Sequence, residues 1–338
     1  MTKDKYLKYK TKYKFLKNNH DNIDANLDII GGRNKKSKDV PSNDNTQLTP
    51  TVSQAKRTLE FDFPEISVAS VEYSDGPTGC TYVRFNVRVA SYYVDPRGGS
   101  VMIYASNRSH HGTIRGICFA GGSYLGLEAM AGCTIEELRS VDYECLSKCL
   151  VTGASLRSAN LNYNNIYPDK NLGRFAVQNL RNGIVGLGQV GAGRMAGDGQ
   201  YGQGAAFHIH NGAKIFVLTA VNALGVLYDE KGNIVRDRKK IPINDNQLDP
   251  SAPRNTTLTM VITDLLLTVQ ELQQLSIQCH GNMAVVIRPF NTEGDGDVLF
   301  SVSLGKIDRN TIPGFKIRDF FLKCSEAVNE AVLSCVER

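Results

Sequence analysis

Between Gly186 and Gly204 the chain reads GLGQVGAGRMAGDGQYGQG, eight glycines in nineteen positions. Each costs a helix roughly 1 kcal/mol against alanine, so this stretch is barred from α-helix and must be loop or strand. Gly186, Gly188 and Gly191 do satisfy G-x-G-x-x-G. A dinucleotide site, however, needs its third glycine to open a helix whose N-terminus holds the pyrophosphate, and the five glycines that follow remove that helix. A nucleotide-dependent oxidoreductase is therefore set aside. Two readings of the run stay open on residues alone. It forms tight loops over a sheet edge, or it lets backbone approach a neighbour closely and turns N–H groups toward an anion or oxyanion.

The rest of the body mixes two periods. Residues 82–90 (YVRFNVRVA) alternate apolar and polar, and 213–221 (AKIFVLTAV) and 256–263 (TTLTMVIT) are β-rich, with hairpin spacing over 213–235. Helices are predicted over 134–150, opened by a capping box Thr134/Glu137, and over 268–280, opened by Thr268/Glu271. A last helix over 316–336 turns Phe320, Phe321, Cys324, Val328, Val332 and Cys335 inward. Strands and helices in this order predict an α/β layered sandwich. With 338 residues, 41% of them hydrophobic, the chain can bury a large core. No apolar run reaches the length of a membrane span.

The formal charge of +5 belongs to one end. Residues 1–40 hold 11 Lys+Arg against 5 Asp+Glu, and the remainder holds 28 against 29. A body this near neutrality has no electrostatic footprint for nucleic acid, whereas the basic leader is suited to an anionic surface or a partner. Within the leader, 4–17 (DKYLKYKTKYKFLK) sets Tyr6, Tyr9, Tyr13 and Leu16 on one helical stripe. From Gly31 to about Lys56 large apolar residues are scarce, which predicts a disordered linker. The expected division is a leader and linker over 1–58 and one domain over 59–338. Eight cysteines without a secretory leader predict free thiols in a reducing, cytoplasmic compartment. Cys145 and Cys149 lack a second ligand pair, and His208 and His210 read as surface or pocket-rim residues, so neither metal nor cofactor is expected.

Residues 236–255 (RDRKKIPINDNQLDPSAPRN) form a charged, aperiodic insertion between two β-rich segments, the kind of stretch that is functional or cleavable. Directly after it, Thr256 opens a strand. Cutting the chain between Asn255 and Thr256 would make that hydroxyl an N-terminal nucleophile, with its own α-amine, of pKa about 7.7–8.0, as base. Further on, NTEGDGDVLF (291–300) flanks a glycine with Asp295 and Asp297. In a turn both carboxylates can point one way and hold a hydroxyl or an ammonium; an ordinary acidic turn is the alternative.

Six segments together resemble a known family: GICFAGGSYLGLEAMAG (116–132), YPDKNLGRFA (167–176), GQVGAG (188–193), VLTAVNALGVLYD (217–229), NTTLTMVITD (255–264) and GDGDVLFSVSLG (294–305). They are similar, in colinear order over about 60–335, to the self-cleaving L-aminopeptidase/D-esterases. These include β-peptidyl aminopeptidases and nylon-oligomer hydrolases, the latter most similar. The resemblance implies a four-layer αββα sandwich like that of N-terminal-nucleophile hydrolases, made as one precursor and cut into fragments 1–255 and 256–338. It implies Thr256 as nucleophile and Asp295 and Asp297 as the pair that orients it. Asn222 becomes the donor to the oxyanion, and Tyr163, Gly191 and Gly193 fall in the pocket region. The implied activity is hydrolysis of amide bonds in short peptides, β-peptides or amino-amide oligomers by a homo-oligomer of processed chains.

The chain departs from the family at one point. Members often carry a Lys-Gly-Gly segment beside the nucleophile, where a buried lysine lowers its pKa; the matching stretch here, Gln200 to Gly204, has no lysine. That keeps open a catalytically impaired member serving as a structural or interaction protein. The leader resembles Lys/Tyr-rich leaders ending in Gly-Gly on giant-virus proteins, which would place such a protein in host cytoplasm or virion.

Overall fold

Alternating apolar residues build two sheets that share a core. The computed structural model describes residues 48–105, 114–142, 149–156, 166–237 and 255–337. The leader helix expected over 4–17 and most of the linker lie outside them.

The first sheet holds β1 (Thr51–Val52), β2 (Ile66–Tyr73), β3 (Thr78–Phe85), β5 (Ile103–Tyr104), β6 (Ile114–Ala120) and β7 (Leu150–Ser155), in the spatial order β1-β2-β3-β6-β7-β5. The second holds β4 (Ser91–Pro96), β8 (Gln203–His210), β9 (Ala213–Asn222), β10 (Thr256–Leu265) and β11 (Val298–Ile307), in the order β8-β9-β10-β11-β4. Among the described residues four α-helices flank the sheets: α1 (Glu128–Arg139), α2 (Lys170–Gln178), α3 (Val269–Val286) and α4 (Ile317–Ser334).

Side-chain alternation assigns the layers. Along β9, Phe216, Leu218 and Ala220 face the other sheet, while Ile215, Val217 and Val221 face α3 and α4. In β3 and β6, Val83, Phe85, Ile117 and Phe119 face inward, and Cys80, Tyr82, Cys118 and Ala120 meet Ala129, Met130 and Cys133 of α1 and Leu172 of α2. The Phe119 and Phe300 rings meet across the sheets at 5.8 Å. The chain is thus a four-layer αββα sandwich. Strands buried on both faces read as near-continuous apolar and β-branched runs; β10 is buried at every position.

Two parallel pairs need helical crossovers. β6 and β7 are joined through α1, and β10 and β11 through α3. The second crossover starts as expected: Thr268 and Glu271 form a capping box on α3. The last helix also matches, with Phe320, Phe321, Cys324, Val328, Val332 and Cys335 buried.

Three expectations need correction. The Thr134/Glu137 pair caps nothing, because α1 already begins at Glu128 and Leu150 belongs to β7. Thr134 Oγ1 instead accepts the Val151 N–H at 3.1 Å. Glu137 is buried against Tyr82, Arg84 and Arg115; tertiary partners have claimed both side chains. The strand expected at 82–90 is Thr78–Phe85, ending where Asn86 turns its amide onto the Pro64 carbonyl at 2.8 Å. Finally, β structure begins at Thr51, inside the stretch read as linker. Thr51 and Val52 pair with Glu72 and Val71, and Arg57–Glu60 pairs with Ile184–Leu187, through backbone bonds that need no large side chains. Among the described residues no helix is long and apolar enough to cross a membrane.

Candidate active site

Thr256 is the first residue of β10 and pairs in register with Asn222, the last residue of β9. Directly opposite residues of an antiparallel pair share a face. By the alternation above, that face lies between the two sheets, where Leu218 and Leu258 also point. A slip of one residue would turn both side chains toward the helices and both apolar sets the wrong way.

The parallel partner strand supplies the other half of the site. Leu258 pairs with Val298, so the 291–297 turn ahead of β11 lies beside the start of β10. There the Gly296 N–H donates to the Asn255 carbonyl oxygen at 2.8 Å. The Thr256 hydroxyl lies 2.6 Å from that same oxygen. Gly296 has to be a glycine: a Cβ there would stand 2.9 Å from Thr256 Oγ1 and 2.8 Å from the Ser100 carbonyl oxygen.

The two carboxylates take different partners. Asp297 accepts the Thr257 N–H at 2.6 Å and the Asn291 N–H at 3.1 Å. Asp295 accepts the Thr292 N–H at 3.0 Å and the Thr292 hydroxyl at 2.6 Å through Oδ2. Its Oδ1 is buried without a well-formed hydrogen bond, and the Leu224 backbone N–H faces the carboxylate. Burial raises both groups above the ordinary carboxylate range, and the charge of Asp295 adds to the effect on Asp297, which is pushed up to about 7. Thr256 and Asp297 are each 1% exposed.

Asn222 is oriented from the glycine run: its Oδ1 accepts the Gly197 N–H at 2.7 Å. No α-helix forms between Gly186 and Gly204, only 3₁₀ turns at Gly191–Gly193 and Ala196–Gly199. Of the two readings of the run, close backbone approach holds, but the group approached by Gly197 is a side-chain amide. Gly191 and Gly193 are buried, against Thr81 and Gln203 respectively. In the stretch that lacks the lysine, the Tyr201 ring packs on Gly197 and its hydroxyl donates to the Gly225 carbonyl at 2.8 Å. Tyr163 and Cys145 lie outside the described residues.

The matching family model is that of peptidase family S58, over residues 110–337. The chain belongs to this family. Relatives agree: the 6-aminohexanoate-oligomer endohydrolase of Kocuria sp. (strain KY2) is 35% identical over 298 residues, covering 81% of this chain and 82% of that protein. Among solved structures, the L-aminopeptidase D-Ala-esterase/amidase of Ochrobactrum anthropi, a variant of the Ntn hydrolase fold, superposes with a TM-score of 0.59 at 16% identity. The match covers 84% of this chain and 88% of that one. A Burkholderia sp. β-aminopeptidase gives 0.58 at 15% identity over 85% and 89%. The sandwich described above therefore shares the Ntn hydrolase fold of the Ochrobactrum anthropi enzyme.

Other nucleophiles and ligands fare poorly in this S58 chain. The seven described cysteines are buried, and burial pushes Cys279 and Cys335 up to about 12, far from a reactive thiolate. His208 is half-buried and meets Glu330 at 2.7 Å, while the His210 ring stands 6.3 Å from Phe320. Among the described residues no group of three His, Cys, Asp or Glu is placed to hold a metal ion. Two further features escaped sequence reasoning. One is the Gly296 N–H; its only signal was the glycine between two aspartates. The other is the Arg97–Ser100 segment beneath the turn, signalled only by Gly98-Gly99.

Proposed function

We propose that this chain is a self-processing N-terminal-nucleophile amidohydrolase with Thr256 as its nucleophile. The observation that carries the reading is the shared oxygen of Asn255, which receives the Gly296 N–H at 2.8 Å while the Thr256 hydroxyl stands 2.6 Å away. A carbonyl polarised by a fixed donor, with a hydroxyl beside it, is set for intramolecular attack.

In processing, Thr256 Oγ1 bonds to the Asn255 carbonyl carbon and the developing oxyanion rests on the Gly296 N–H. The C–N bond then breaks, the hydroxyl proton ends on the departing nitrogen, and an ester with a free α-amine is left. Water adds to the ester carbon, restoring the hydroxyl and releasing the Asn255 carboxylate. Asp295, with a buried oxygen that lacks a well-formed hydrogen bond, is suited to the new ammonium. Asp297 holds Thr257, and so the start of the strand, in place.

In turnover the same hydroxyl attacks a substrate amide and its α-amine takes and returns the proton. The Asn222 amide, oriented by Gly197, is the side-chain donor to the oxyanion. Water then clears the acyl group from Thr256. Substrates are short peptides, β-peptides or amino-amide oligomers. The Kocuria relative, named for 6-aminohexanoate oligomers, supports the last of these, and the acidic pair suits a substrate ammonium.

Denaturing mass spectrometry of the purified chain tests the reading. Two pieces meeting between Asn255 and Thr256, with threonine at the new N-terminus, are expected. A chain that stays whole on long incubation and behaves like Thr256→Ala overturns it in favour of a structural or interaction role.

A further inference from the structure

We propose that His280 is a positioning residue for the Asp295–Asp297 turn, acting through Asp95 and the Arg97–Ser100 segment; this rests on the self-processing reading above. His280 lies on α3 and is 1% exposed. Its Nδ1 stands 2.9 Å from Asp95 Oδ2, the oxygen that also accepts Arg97 Nε at 2.8 Å. The three side chains thus clip the helix layer to the end of the edge strand β4, where the chain leaves the sheet and runs under the acidic turn.

That run carries the turn on its backbone. The Arg97 and Gly98 N–H groups both donate to the Asp297 carbonyl oxygen, at 2.9 and 3.2 Å, and the Ser100 N–H donates to the Asp295 carbonyl oxygen at 2.9 Å. No side chain fits between the two segments: a Cβ on Gly98 would lie 2.2 Å from the Asp295 carbonyl oxygen. The turn in turn aims the Gly296 N–H at Asn255. A displacement at Asp95 is therefore passed on by directly contacting backbone to the donor on the scissile carbonyl.

His280 is shaped for this single bond. Its Nε2 is buried without a partner. Burial pushes the imidazole down from its ordinary pKa, against the opposing pull of Asp95. Because the carboxylate oxygen can only accept, Nδ1 carries the proton and donates to Asp95. Burial alone would raise Asp95, but the hydrogen bonds from His280 and Arg97 leave it below the usual carboxylate range. Asparagine can offer an N–H near the Nδ1 position, and leucine cannot.

The test is the rate at which the full-length chain releases the 256–338 fragment, followed by denaturing mass spectrometry, together with kcat and KM on a linear 6-aminohexanoate oligomer. His280→Leu is expected to slow fragment release about ten-fold or more, since a misplacement near 1 Å can cost about a hundred-fold. In the fraction that has cut, kcat falls with KM nearly unchanged, and His280→Asn restores most of both rates. Release by His280→Leu at the wild-type rate overturns the inference, as does His280→Asn being as slow as His280→Leu. If His280→Leu does not fold, Arg97→Met removes the other, half-exposed partner of Asp95, and an unchanged rate there overturns the inference equally. A wild-type chain that never cuts overturns the reading beneath it, whereas a wild-type chain that cuts alongside unaffected variants overturns this inference alone.

Discussion

The backbone N–H of Gly296 donates to the carbonyl oxygen of Asn255 at 2.8 Å, which in the proposed self-cleavage makes it the donor to the oxyanion ahead of Thr256. That donor comes from the turn ahead of β11, the strand parallel to β10, and not from the hairpin partner that supplies Asn222. On the proposed mechanism, processing and turnover draw on different donors, and the two should respond separately to mutation.

Gly296→Ala places a methyl group 2.9 Å from Thr256 Oγ1 and pushes the turn away from Asn255. Loss of one oxyanion donor is worth about 10²–10³ in rate, and fragment release by this variant is expected to slow by about that factor. Densitometry of the two fragments over time gives the value, and a rate within two-fold of wild type would remove Gly296 from the mechanism.

Asn222→Ala is expected to spare self-cleavage relative to Gly296→Ala but to cost turnover about 10²–10³ in kcat. The measurement is hydrolysis of a 6-aminohexanoate oligomer by protein already shown to be cut. The same substitution leaves the Gly197 N–H without its acceptor, a loss of about 1–3 kcal/mol of stability that a urea midpoint reports.

Thr256→Ala should leave one intact chain and no hydrolysis, whereas Thr256→Ser keeps an attacking hydroxyl and should still yield two fragments. Intact masses decide between them. Cutting by Thr256→Ala would mean that another group attacks Asn255.

Asp297 titrates at about 7 in the fold, through burial and then the charge of Asp295, against about 3.9 in an unfolded chain. Between these values the folded chain holds a proton that the unfolded chain has lost. The contribution is fully present below about pH 4 and is lost as pH rises through 7. The difference in thermal midpoint between wild type and Asp297→Asn should accordingly shift against wild type from pH 5 to pH 8. Fragment release should rise over the same range as the coupled pair ionises. A flat difference would show that Asp297 is charged throughout.

Much of this molecule is legible as text because it is local. The Thr268/Glu271 capping box, the inward stripe of α4 and the β-rich runs at 213–221 and 256–263 each depend on neighbours within a turn or two, and each appears in the fold. Thr256 and the Asp295–Gly296–Asp297 turn are ordinary patterns taken singly; they stand out because Thr256 follows an aperiodic insertion and because both fall in segments that resemble the family. Thr134/Glu137 shows the limit: the same local pattern lost its side chains to Val151 and to two arginines distant in sequence.

The sequence by itself determined which residues are candidates for the proposed chemistry and which periods build the layers. Only the tertiary structure decided what faces them: Gly296 on Asn255, Gly197 on Asn222, and His280 reaching Asp95 from 185 positions away. Those contacts follow from strand register and helix packing, which are set by the summed burial of whole faces and leave no mark at the positions that meet.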